Sequence, residues 1–155
     1  MRPEIAEPVR DGGKLQKLLP LAERIFRLHE GGQPYATELK LVSRIVGRIV
    51  DKPTVMYAFG VSDSEYFARR LLIDWDNLPT DLSEPEMLEL LEAVCSANAG
   101  PDRTEYWLKC LARNTGEPSL SDLIYWPDQY REGAYEDGLA PSRILEIALF
   151  HGRQK

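Results

Sequence analysis

Apolar residues at Met87, Leu90, Leu91, Val94 and Cys95 fall at i, i+3, i+4, i+7 and i+8, the stripe of a helix with one core-facing side. Leu18, Leu21, Ala22, Ile25 and Phe26 repeat that spacing 69 positions earlier. The same shift continues into the next segment, where Leu39, Val42, Arg44 and Gly47 lie against Leu108, Leu111, Arg113 and Gly116. Beyond those glycines the offset slips by a few residues. Val55-Met56-Tyr57 can then be laid on Leu123-Ile124-Tyr125, and Phe67, Ala68, Leu71 and Leu72 mirror Ile144, Leu145, Ala148 and Leu149. Each half therefore reads helix, helix, short helix, helix, which predicts a degenerate tandem duplication.

Helix punctuation agrees. Ser83-Glu84-Pro85-Glu86 reads as a capping box with Ser83 as N-cap, and Ser62-Asp63-Ser64-Glu65 repeats the device before the last helix of the first half. Gly31-Gly32 and Ala99-Gly100-Pro101 separate the first two helices of each half. Thr54 to Phe59 is the one strand candidate. The expected class is all-α, with two four-helix units packed on one another and a short third helix in each. A loose arm at 1–13 precedes units at 14–80 and 81–155, the polar and apolar connector Trp75 to Asp81 being too short for a flexible linker.

Charge distribution adds to this division. Residues 1–80 carry 12 Lys/Arg and 11 Asp/Glu, whereas residues 81–155 carry 7 and 14, so the excess acid behind the net charge of −6 lies in the second half. Such a field repels nucleic acid and draws in basic partners. No apolar run reaches the roughly 18 residues of a membrane helix, and Met1 to Gly13 lacks the apolar centre of a signal peptide. Two cysteines, Cys95 and Cys110, are too few for a disulfide framework and lack metal-site spacing, so a reducing cytoplasm is expected. Both fall on apolar stripes, where a small buried thiol is the plain expectation. His29 and His151 sit near helix ends, positions that suit a helix-dipole cap. Nothing assembles a nucleophile, a phosphate loop or a metal site. The expectation is a protein that is no enzyme and has no cofactor.

Ser121-Asp122-Leu123-Ile124-Tyr125-Trp126-Pro127 stands apart. Ser121 or Asp122 can cap a single helical turn that Pro127 ends. Leu123 and Ile124 can face the core, with Tyr125 and Trp126 at the exposed end and Asp122 one turn back. Tyr and Trp supply rigid contact area and recur at interface hot spots. On residue chemistry alone the two aromatics could equally plug a small core.

Two stretches resemble a known family. Asp81-Leu82-Ser83-Glu84-Pro85-Glu86-Met87, followed by Leu91, Val94-Cys95 and Ala97-Asn98, resembles the first helix of the immunity proteins for nuclease colicins and pyocins. Thr115-Gly116-Glu117-Pro118-Ser119-Leu120 with the Ser121–Pro127 segment is similar to that family's junction of second and third helices, Trp126 standing where a second Tyr is usual. The resemblance covers about residues 81–150. It implies a four-helix bundle with a very short third helix that binds a nuclease toxin beside its active site and blocks DNA access without touching the metal centre. Carried over by position, Ser121, Asp122, Tyr125, Trp126 and Pro127 form the common anchor, and Thr104, Glu105, Leu108 and Ala112 on the second helix select the cognate partner. Asp102 and Asp128, with the other acids, would steer a basic nuclease domain. The implied partner is a cognate bacteriocin nuclease domain, a DNase, in a 1:1 complex, with no nucleic acid and no membrane bound.

The pattern departs from the family in places. Pro101 and Ala112 stand where acids are common, and the last helix lacks the usual Trp-Arg close, ending Leu149-Phe150-His151-Gly152. The first half replaces Asp122, Tyr125, Trp126 and Pro127 with Thr54, Tyr57, Ala58 and Phe59, which suits a supporting role. The alternative function is a non-catalytic helical scaffold or regulatory module that uses the same acidic face; an adjacent toxin gene would discriminate the two.

Overall fold

The computed structural model describes residues 1–9, 11–96, 99–131 and 135–153; Ala97-Asn98 of the resemblance lie outside them. All regular structure among the described residues is helical, and the chain divides into two compact units, Glu7–Ile73 and a second made of Met1–Ala6 with Asp74–Lys155.

In the Glu7–Ile73 unit, α2 (Gly12–Glu30) follows an N-terminal helix α1 (Pro3–Ala6) that belongs to the other unit. Asp11 caps α2, its carboxylate accepting from the Lys14 N–H at 3.0 Å. Helix α3 (Ala36–Val46) ends at Gly47, α4 (Lys52–Val61) begins at the Asp51 cap, and α5 (Ser64–Leu71) begins at the Asp63 cap. Leu18, Ala22 and Ile25 of α2 meet Val42, Val55, Phe67 and Leu71 in one buried cluster, with α2 in contact with α3, α4 and α5. Two local expectations change here. Thr54 to Phe59 is helix, not strand, because Asp51 accepts from both the N–H and the hydroxyl of Thr54 and Pro53 fits a first helical turn. The N-cap of α5 is Asp63 rather than Ser62, whose hydroxyl instead donates back to the Ala58 carbonyl.

The second unit contains α6 (Glu84–Cys95), α7 (Pro101–Thr115), α8 (Leu120–Tyr125) and α9 (Pro141–Gly152). The capping box of Ser83 and Glu86 is formed in both directions. Met87, Leu90, Leu91 and Val94 are buried, as are Tyr106, Trp107, Cys110 and Leu111 of α7 and Ile144, Leu145, Ile147 and Ala148 of α9. Helix α9 packs on α6, α7 and α8. The third helix is short only here: α8 has 6 residues, whereas α4 has 10 because no proline cuts it off.

Residues 1–6 differ from the loose arm that their Pro-rich, mixed-charge sequence suggests. Ile5 is 1% exposed and its carbonyl accepts from the Trp107 indole N–H at 2.8 Å. Arg2 forks onto both oxygens of Glu86, at 2.7 and 3.1 Å, and onto Asp81, while the terminal ammonium meets Glu89 at 2.8 Å. A single buried Ile and one arginine fork were enough to order the strap; neither leaves a periodic signal over six residues. The connector belongs to the same unit. Asn114 donates to the Pro79 carbonyl and accepts from the Leu82 N–H, and the Trp75 ring lies edge-on to Tyr106. The unit boundary therefore falls at Ile73/Asp74 instead of 80/81.

Candidate toxin-binding surface

Helix α8 starts two to three residues earlier than its expected caps, Ser121 or Asp122. Ser119 is the N-cap, and it makes no side-chain cap bond. Leu120 and Leu123 are buried and Ile124 is half-buried, so one side of the short helix is committed to the core. The 100° advance per residue then turns Asp122, Tyr125 and Trp126 outward. Tyr125 is 47% and Trp126 54% exposed, their rings edge-to-face with centroids 5.9 Å apart. Trp126, the residue before Pro127, leaves helical geometry at φ −139°, as the proline ring requires, while its N–H still donates to the Asp122 carbonyl at 2.7 Å. The core alternative for the two aromatics is thus excluded: both face solvent.

The other expected anchor residues are placed differently. Ser121 is half-buried, and Pro127 is buried under the turn that follows α8, so in this state it shapes the surface from beneath. On α7, Thr104, Glu105, Leu108 and Ala112 are all half-buried. Asp128 is exposed, but Asp102 is only 5% exposed, tucked into the first turn of α7. Of the two expected steering acids, Asp128 thus faces solvent and Asp102 does not.

Beside Tyr125 lies a cleft of about 380 Å³ lined by Val94, Cys95, Ala99, Thr104, Ile124, Leu139 and Ile144. It joins one expected anchor residue, Tyr125, to one expected selector, Thr104. Cys95 is the residue that sequence reasoning misplaced. It is exposed, because α6 ends at this residue and the apolar stripe runs off the helix, whereas Cys110 is fully buried. Burial by neighbours still pushes the Cys95 thiol above its ordinary value, and pushes Cys110 to about 11. Tyr125 is also raised, by burial of part of its ring edge and then by Cys95. Neither thiol has the depressed value of a nucleophile. His29 is occupied structurally, its Nδ1 3.0 Å from the Tyr35 hydroxyl. Among the described residues, no three His, Cys, Asp or Glu side chains cluster as metal ligands, and no helix is long and apolar enough to cross a membrane.

An exposed surface of two aromatics and a carboxylate on a core-anchored helix is the form of a protein-contact site. Residues 80–149 match the family model described as colicin immunity protein / pyocin immunity protein. That stretch of the chain is thus similar to a bacteriocin-immunity domain. Neither the curated proteins nor the solved structures contain a match to the chain.

Proposed function

We propose that this protein neutralises a bacteriocin of the nuclease type, a DNase, by binding its catalytic domain one-to-one in the cytoplasm. The observation that carries the reading is the outward display of Tyr125 and Trp126 beside exposed Asp122 on a helix whose remaining apolar side chains hold the core. Large aromatics that the fold leaves about half exposed are the material of hot spots. Charge supports a basic partner. The unit of Met1–Ala6 and Asp74–Lys155 holds 8 Lys/Arg and 17 Asp/Glu, or −9, while Glu7–Ile73 holds 11 and 8, or +3. A nuclease domain, which must itself attract a polyanion, is the partner such a field suits. Acids near α8 would set the association rate and the aromatics the dissociation rate. The cleft beside Tyr125, apolar at Val94, Ile124 and Leu139, would receive a side chain of the toxin, with Thr104 at its edge tuning the choice.

The Glu7–Ile73 unit is read as a degenerate copy in a supporting role. Its support is the 69-residue register together with two matched helix ends: Gly47 and Gly116 both close the second helix at φ 85° and 78°, and their N–H groups donate to Ser43 and Ala112, which are related by the same shift. Tyr57 is exposed on α4 as Tyr125 is on α8, but no acid stands in place of Asp122.

The test is binding of the full chain to the catalytic domain of a nuclease toxin encoded by an adjacent gene, whose absence would favour the scaffold reading. Trp126→Ala should weaken affinity by at least about 2 kcal/mol, roughly thirtyfold, with the helix content unchanged. A well-folded variant that binds as tightly as the parent would remove the aromatic anchor from the mechanism.

A further inference from the structure

A six-residue helix is far below the length at which helices are stable alone, and α8 lacks even a side-chain N-cap bond. Something else must hold Tyr125 and Trp126 in one orientation. The strongest unexplained group nearby is Glu117, a carboxylate with 0% exposure just ahead of α8. One of its oxygens accepts from the Ser119 N–H at 3.0 Å, at the entry to α8. The other accepts from the Tyr130 hydroxyl at 2.6 Å and from Arg131 Nη2 and Nε at 2.7 and 3.1 Å, beyond the exit. The loop from 117 to 131 is thereby closed on itself by a single side chain. Tyr130, 1% exposed and edge-on to His151 of α9, fixes the closure to the core. Arg131 takes φ +42°, a backbone region that L residues enter rarely, and its guanidinium bonds hold it there.

We infer that Glu117 is the positioning residue of the toxin-binding helix: its buried carboxylate ties the entry of α8 to its exit and so fixes the direction of Tyr125 and Trp126. The inference rests on the proposed toxin-binding reading for its functional consequence, but not for its effect on α8 itself. A buried carboxylate is an apt clamp because a lost bond leaves Glu117 itself short of a partner where water does not reach. Burial by itself would raise its pKa; the bonds from Tyr130, the Ser119 N–H and Arg131 outweigh it, and the group stays below the ordinary carboxylate value, charged and accepting.

The test compares full-length Glu117→Gln and Tyr130→Phe with the parent, first alone and then with the nuclease domain. Amide hydrogen exchange of residues 119–130 should accelerate at least tenfold while the amides of α6 and α7 keep their protection. Toxin dissociation should accelerate by at least tenfold, with association changed less than threefold. Exchange that speeds equally across α6, α7 and α8 in both variants would make Glu117 an ordinary core residue and overturn the inference. So would unchanged exchange at 119–130 in both. If the local acceleration occurs and neither these variants nor Trp126→Ala alters toxin binding, the clamp on α8 stands and the toxin-binding reading is what fails. If Trp126→Ala weakens binding while the clamp variants leave dissociation unchanged, the positioning role falls alone.

Discussion

Replacing Ile5 by Ala tests whether the N-terminal strap is part of the immunity unit. The Ile5 side chain is 1% exposed, so truncation removes buried methyl and methylene groups from a site closed on one side by Trp107. Large-to-small changes of this kind cost about 2–5 kcal/mol in rigid cores. A strap can also undock, which limits the loss to its own docking free energy. That energy includes the Trp107 N–H bond, whose loss would leave a donor short of a partner in a ring only 6% exposed. The expected loss is therefore at the low end, about 2–3 kcal/mol. Because the chain divides into two compact units, the loss is best read from exchange of the α6 and α7 amides and not from one global melt. Those amides should lose at least about thirtyfold in protection. Emission from Trp107, followed in a background with both Trp75 and Trp126 replaced by Phe, should shift to the red. A change under about 0.5 kcal/mol with unaltered emission would mean that residues 1–6 are the loose arm their sequence suggests. The same reasoning says that residues 81–155 expressed alone lack part of their own core, so tests of immunity should use the full chain.

Two further expectations concern the same unit. A Cβ on Gly152 would fall inside the Thr115 carbonyl, where the end of α9 meets the end of α7 backbone to backbone; Gly152→Ala should therefore destabilise by about 1–3 kcal/mol, and a neutral change in urea denaturation would show that the helix ends do not touch. Arg2 chiefly, with the Ser83 N–H, lowers Glu86 to about 2. Being depressed, this group contributes stability above its ordinary value of 4.5, and that contribution is lost as pH falls through about 2. A carboxyl titration by NMR should find Glu86 near 2 in the parent and moved toward 4.5 in Arg2→Gln; an unmoved titration would break the assigned pairing.

Helical class, the four-helix division of each half and the stripes themselves were determined by sequence, because a buried face imposes its period on every long helix. Leu18, Ala22 and Ile25, like Met87, Leu91 and Val94, lie where that period puts them. The exposed pair Tyr125 and Trp126 was half legible: residue chemistry allowed both core and surface, and the direction of α8 decided for the surface. Features held by single long-range contacts left no periodic trace. The strap depends on Ile5 reaching Trp107 across 102 positions, and the boundary at Ile73/Asp74 on Asn114 reaching Pro79. Cys95 was misplaced because a stripe cannot show where its helix stops. Glu117 looked like one more acid in an acidic half, and only its burial among Ser119, Tyr130 and Arg131 gave it a task. Periodicity is a local property that sequence carries openly; the closure of loops and the burial of lone polar groups are decided by partners that only the tertiary fold brings near.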